Sequence, residues 1–190
     1  MNIPGAAIEA AHLIDRIERL ARSGVQMHGL NPAQWEALRY LARANRFSRT
    51  PAGLAAYLGS TRGTVSQTLI SLEQKGFVIR QTSERDRRSI ALGLTEKGRD
   101  ALADDPLLGV AQDIAQTAGE DVGAIADMLK RALRVTISRN GGRPFGLCRT
   151  CRHFRGNEDR GQANPHFCAL LKEPLSEADG ADICLEQEDA

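Results

Sequence analysis

Four cysteines fall in the last quarter of a 190-residue chain: Cys148, Cys151, Cys168 and Cys184. Two residues separate the first pair, sixteen precede Cys168 and a further fifteen precede Cys184. A Cys-x2-Cys pair is a tight knuckle that lets two thiolates reach one metal while backbone N–H groups point at the sulfurs. The two later cysteines complete four thiolates, and His153 and His166 stand close enough in sequence to substitute for one ligand. Three chemistries compete. Four thiolates hold a tetrahedral zinc ion as a structural staple. Four cysteines equally hold an iron–sulfur cluster of the 4Fe–4S type. A pair of disulfides is the third, disfavoured in a chain that is expected to stay in the cytoplasm.

A second constellation lies upstream. Arg62, Thr64, Ser66 and Gln67 alternate with Val65, Leu69 and Leu72. At helical spacing the apolar three face inward and the polar four face outward. Short hydroxyls, an amide and one long cation are suited to a DNA major groove, where they reach base edges and phosphates. Some twenty residues on, Arg85, Arg87 and Arg88 surround Asp86 in a charged stretch between two strand candidates. A cationic hairpin tip suits a narrow, electronegative minor groove.

These residues need a scaffold, and local signals supply one. A helix is predicted over 7–23. Asn31-Pro32 opens a second, carrying Trp35, Leu38 and Leu41. Thr50-Pro51 opens a short third, broken by Gly59-Ser60. The recognition helix is predicted from Thr61 to Lys75 and ends at Gly76. Strands are expected at 77–80 and 89–94, joined as a hairpin. Thr95 caps a further helix that weakens near Asp104-Asp105-Pro106, and a last helix spans 120–138. Trp35 and Phe47 are expected in the core, and His12 and His28 at the surface or at an interface. Asn140 to Pro144 reads as a linker. The division is therefore 1–139 for DNA binding, 140–144 for the linker and 145–190 for a cysteine-rich extension. With few apolar residues, that extension needs a staple to become ordered.

Charge supports the same division. Residues 31–99 hold twelve Lys and Arg against five Asp and Glu, whereas 100–190 hold ten against sixteen. A basic middle beside an acidic end suits a DNA-binding core with an extension that does not touch DNA. The 42% hydrophobic content is ordinary for a globular protein, and a low 4% of aromatic residues with alanine and leucine dominating suits a helical core. No phosphate-binding glycine loop, HExxH or G-x-S-x-G is present, so no enzymatic activity is expected. Cys168 with His166 could be drawn as nucleophile and base, but in a cysteine-rich loop they read as ligands. The apolar runs are too short for a transmembrane helix, and charges interrupt the N-terminus where a signal peptide needs an apolar stretch.

The stretch from Leu30 to Leu102 closely resembles the MarR family of bacterial transcription regulators. The carriers are Leu30 to Trp35, Leu54 to Gly59, Thr64 to Leu69, Leu72 to Val78, Asp86 to Ser89 and Leu94 to Gly98. The resemblance implies a mostly α winged helix-turn-helix with a small β wing. It implies a homodimer in which the N- and C-terminal helices interleave, reading a pseudo-palindromic operator. It also implies that Asp86 braces the wing while Arg87 and Arg88 reach the minor groove, and that a small-molecule effector, unidentified by sequence, acts near the dimer junction. In the extension, the run around Cys148, Cys151, Phe154, Phe167, Cys168, Pro174 and Cys184 looks like the cluster-binding end of high-potential iron–sulfur proteins. The reading is a homodimeric operator-binding regulator, metal- or redox-responsive through a zinc site or, alternatively, an iron–sulfur cluster. The alternative of another class is a small redox protein carrying a winged-helix interaction domain.

Overall fold

A computed structural model of the chain describes residues 2–23, 27–82, 89–158 and 163–190. Helix α1 (Gly5–Ser23) packs along a later helix, with its apolar residues Ile8, Leu13, Ile14 and Ile17 exposed. Helix α2 (Pro32–Arg43) begins at a capping box. Asn31 Oδ1 accepts the Gln34 N–H at 2.9 Å, and the Gln34 side chain accepts the Asn31 N–H at 3.0 Å. Gln34 is buried and also donates to Ser71 Oγ at 2.8 Å, which ties α2 to the recognition helix.

Helix α3 (Pro51–Leu58) is capped by Thr50 Oγ1 and stopped by Gly59 in the left-handed conformation at φ 58°. Helix α4 (Arg62–Gln74) is capped by Thr61. Strands β1 (Val78–Thr82) and β2 (Ile90–Leu94) pair antiparallel, Val78 opposite Leu94 and Thr82 opposite Ile90. The main core gathers Trp35, Leu38, Tyr40 and Leu41 of α2, Leu54, Val65, Leu69 and Leu72, with Phe77, Val78 and Leu92 of the ribbon. Phe47, expected in this core, is only half-buried, and the Arg46 guanidinium lies 4.6 Å from its ring centroid. It sits on a loop whose backbone is held by polar contacts instead.

Thr95 caps helix α5 (Glu96–Ala101). Here Gly98 is required by space: a Cβ would sit 2.2 Å from the Phe77 carbonyl oxygen. After one 3-10 turn (Leu102–Asp104) the chain breaks at Asp105-Pro106 and restarts as α6 (Leu107–Ala118), then α7 (Val122–Arg139). The arm is thus two helices joined by a break and a 3-10 turn, where sequence showed one weakened stretch and one final helix. Neither α6 nor α7 has a buried residue. Among the described residues no helix is long and apolar enough to cross a membrane.

The segment read as a linker starts as the stop of α7. Gly141 adopts φ 67°, and the Gly142 N–H returns to the Ile137 carbonyl at 3.0 Å. Beyond it lie short strands that periodicity did not reveal. Strand β3 (Gly146–Leu147) pairs with β7 (Ile183–Cys184). Strands β4 (Phe154–Arg155), β5 (His166–Cys168) and β6 (Glu173–Leu175) form a three-stranded sheet. Helix α8 (Glu177–Ala181) starts at a Ser176–Asp179 capping box. The extension keeps Leu175 buried within itself but places Ile183 in the main core. Phe145 stacks edge-on against Tyr40 and Tyr57 at 5.9 and 5.2 Å. A segment short of apolar residues is ordered here by packing on the body.

Candidate nucleic-acid interface and metal centre

Helix α4 turns Val65, Leu69 and Leu72 inward and leaves Arg62, Thr64 and Gln67 exposed, with Ser66 half-buried. Thr64 is occupied locally, since its hydroxyl lies 2.9 Å from that of Thr61. Thr68 donates to the Thr64 carbonyl, so its hydroxyl also points back along the helix. Arg62 and Gln67 are therefore the groups best placed to reach outward. The ribbon stands beside this helix: Arg80 of β1 lies 3.3 Å from Glu73 of α4. Arg85, Asp86, Arg87 and Arg88 lie outside the described residues.

The position of α3 is set by the connection that precedes it, residues 44–50. Asn45 and Ser48 are buried in it. Asn45 Oδ1 accepts the Ser48 N–H at 2.9 Å, and Tyr40 Oη donates to the Ser48 carbonyl at 2.5 Å. The Arg49 carbonyl accepts the Leu92 N–H of β2 at 2.7 Å. One short segment thus touches α2, α3 and the wing ribbon. Sequence reasoning passed over it because it has no periodicity, and Asn45 and Ser48 read as ordinary loop residues.

The same segment meets the cysteines. All four, with His153, Phe154, Leu171 and Leu175 among the other walls, line one cavity of about 10 Å³. All four are free thiols. Cys148 opens the knuckle and accepts the Cys151 N–H on its carbonyl at 3.0 Å. Asn45 Nδ2 donates to Cys148 Sγ at 3.1 Å, and the Leu171 N–H reaches Cys168 Sγ at 3.5 Å. A hydrogen bond from Cys148 draws the Cys184 thiol down to about 6 against its burial, helped by Asn45, the Glu186 N–H and the Ser48 hydroxyl. Cys148, holding the shared proton in a buried place, is pushed up correspondingly. One sulfur of the pair is thereby ready to be a thiolate, the form that binds metal.

The histidines separate. His153 lines the cavity, with its Nε2 buried and 3.5 Å from Glu188. His166 is turned elsewhere: Nδ1 accepts the Asn157 N–H at 3.1 Å, and Nε2 lies 3.1 Å from Glu177 without hydrogen-bond geometry. Among the described residues no three of His, Cys, Asp and Glu stand as a completed metal site. The cysteines surround a common space without converging on one point.

A larger cavity of about 690 Å³ lies between α1, α2 and α7. Trp35, Tyr57, Phe145, Leu133 and Ile137 provide apolar walls, and Arg39, Arg43 and Arg143 line it as well.

The sequence pattern of the MarR family matches residues 28–89. The transcriptional repressor MprA of Escherichia coli (strain K12) is 31% identical over 91 residues, which are 48% of this chain and 52% of that protein. The match thus spans about half the length of that relative. The HTH-type transcriptional regulator MhqR of Bacillus subtilis (strain 168) is 32% identical over 110 residues, 56% of this chain and 74% of that one. Among solved structures, the transcriptional repressor CouR bound to a 23-mer DNA duplex superposes with a TM-score of 0.53 at 31% identity, over 69% of this chain and 92% of that one. Streptococcus pneumoniae FabT in complex with DNA shares the fold at a TM-score of 0.55 and 20% identity, over 70% of this chain and 96% of that one.

Proposed function

Since this chain belongs to the MarR family of winged-helix transcriptional regulators, we propose that it is a homodimer that binds a pseudo-palindromic operator in double-stranded DNA. The observation that carries this reading is α4, which buries Val65, Leu69 and Leu72 while holding Arg62 and Gln67 outward. Two such helices about one DNA turn apart would enter successive major grooves. Arg85, Arg87 and Arg88 add the phosphate and minor-groove contacts, with Asp86 as their brace. CouR, a relative at 31% identity, is a DNA-bound repressor, which supports the same use of this fold.

Dimerisation has its own support. Ile8, Ile14 and Ile17 of α1 and Leu129, Leu133 and Val135 of α7 are large apolar side chains left exposed on amphipathic helices. A second copy would cover them, because exposed apolar area of that extent marks an association surface. The 690 Å³ cavity beside this arm, walled by Trp35, Tyr57 and Phe145, suits an apolar small molecule as effector.

The cysteines would hold a thiophilic metal through Cys148, Cys151, Cys168 and Cys184, with His153 the histidine near enough to replace one of them. The bound group would be a zinc ion or, alternatively, a 4Fe–4S cluster, since four thiolates serve both. Binding would draw the four sulfurs together. A zinc-loaded extension is a staple and, by the same token, an input to the DNA-binding half.

The test is selection of binding sequences from a random duplex pool, followed by affinity against salt. Enrichment of an inverted repeat supports the reading. Binding that is equal for selected and scrambled duplexes shows that the protein is not an operator-reading regulator.

A further inference from the structure

The cysteine centre and the DNA-binding half share a structural element, the connection 44–50. On its inner side the Asn45 amide reaches Cys148 Sγ at 3.1 Å, and the Ser48 hydroxyl faces Cys184. The backbone is laced in the same way. The Asn45 N–H donates to the Ile183 carbonyl at 2.9 Å, and the Leu185 N–H donates to Ser48 Oγ at 2.9 Å. These two bonds flank Cys184 on either side in sequence. On its outer side the connection ends in Thr50, whose hydroxyl accepts the Gly53 N–H at 3.0 Å and so starts α3. Its Arg49 carbonyl holds β2 through Leu92.

The chemistry makes this an asymmetric arrangement. A buried amide needs an acceptor that stays in place, and a metal-bound thiolate is a stronger and better-fixed acceptor than a free thiol. A metal tying four thiolates together supplies both properties. Without the metal, a single hydrogen bond ties the Asn45 amide to the Cys148 sulfur, and rotation about the Cys148 side-chain bond is enough to break it. Ordinary packing does not require donors from the DNA-binding half to be aimed at the sulfurs, since apolar contacts such as Ile183 already hold the extension.

We propose that Asn45, with Ser48 beside it, is the positioning contact through which a thiophilic metal at the four-cysteine site sets α3 and the wing for operator binding. The proposal rests on the reading that the cysteines hold a metal. With metal bound the connection is held and DNA is gripped; with metal removed the connection loosens and affinity falls.

The experiment uses the full chain purified without oxygen, either loaded with Zn2+ or reconstituted with Fe2+ and sulfide, and then stripped with a chelator. Metal content is measured first, and a chain that takes up neither Zn2+ nor an iron–sulfur centre overturns the proposal together with the metal reading. Amide hydrogen exchange is then followed over 44–53 and 90–94, a readout that needs no operator. Slower exchange in both stretches on loading, by about tenfold, is expected. Operator affinity at fixed salt should fall about tenfold on stripping, and Cys168→Ser, at a cysteine other than the two that face the connection, should match the stripped protein. Asn45→Ala and Ser48→Ala should still bind metal yet lose most of this metal dependence, with the loaded fold checked by circular dichroism. If Asn45→Ala does not fold, Ser48→Ala and Cys168→Ser carry the test. Metal bound and removed with exchange and affinity unchanged overturns the relay while leaving the metal site standing, as does full metal dependence in the folded variants.

Discussion

Arg39 grips Asp105 with two parallel hydrogen bonds, Nε to Oδ2 at 2.7 Å and Nη2 to Oδ1 at 2.6 Å. The carboxylate stands in the break before α6, and its Oδ1 also accepts the Leu107 N–H at 2.9 Å. One ion pair therefore fixes the arm to α2 and starts the next helix. Arg39→Ala should destabilise the protein by about 2 kcal/mol, as removal of a charged hydrogen-bond partner does. Burial pushes the Asp105 carboxyl up, but the hydrogen bonds from Arg39 and Leu107 and the nearby positive charge outweigh it and leave it below the usual carboxylate range. A depressed carboxylate stabilises the fold above the unfolded-state value of about 4 and stops doing so as pH falls through the folded value. Denaturant titrations of both proteins across acid pH should show the gap between them closing below about pH 4. A gap that stays constant with pH would assign the loss to packing instead.

Gly98 has no room for a side chain, with the Phe77 carbonyl 2.2 Å from where a Cβ would sit. Because that obstacle is backbone, Gly98→Ala should cost about 2 kcal/mol or more through displacement of α5 from β1. A melting temperature equal to that of the unaltered protein would show that α5 shifts freely.

Ile183 belongs to the extension by sequence and to the main core by packing. Truncation to alanine should cost about 3 kcal/mol, in the range for a buried aliphatic residue. Calorimetry should show one cooperative transition that moves as a whole. Two transitions, with only the smaller one shifted, would show that the extension folds by itself.

Leu133 on the amphipathic helix α7 is 59% exposed. Leu133→Glu should convert the dimer to monomer in light scattering and abolish operator binding, since a half-site alone forfeits the second recognition helix. Unchanged mass would move the dimer seam away from this face.

Arg87→Ala should weaken operator binding and lower the salt slope by about one, because one phosphate is no longer neutralised. Arg62→Ala is the comparison on α4. If it affects all duplexes equally, Arg62 contacts phosphate. If it relaxes preference at one base pair, it reads a base edge.

Where partners lie three or four residues apart, sequence was sufficient. Asn31 with Gln34, Thr50 with Gly53, Thr61 with Thr64 and Thr95 with Gly98 each combine a capping oxygen with an N–H three residues on. The stripe of Val65, Leu69 and Leu72 needs only helical geometry to face inward. Such signals determined helices α2 to α5 and the polar face of α4. Phe47 shows their limit: an aromatic residue promises burial, but its loop is set by contacts with distant residues, and it ends half-exposed.

Only the tertiary structure decided how the two halves meet. Asn45 and Cys148 are 103 residues apart, Ser48 and Leu185 are 137 apart, and Arg39 and Asp105 are 66 apart. No periodicity links such pairs, because each forms only after the intervening chain has folded and brought its ends together. Sequence alone identified four thiols of the right type and spacing to share a ligand. That they surround one cavity, and that its donors come from the segment positioning α3 and the wing, follows from the docking of Ile183 and Phe145 on the body. Burial of apolar surface drives that docking, and it carries no directional code in the local sequence.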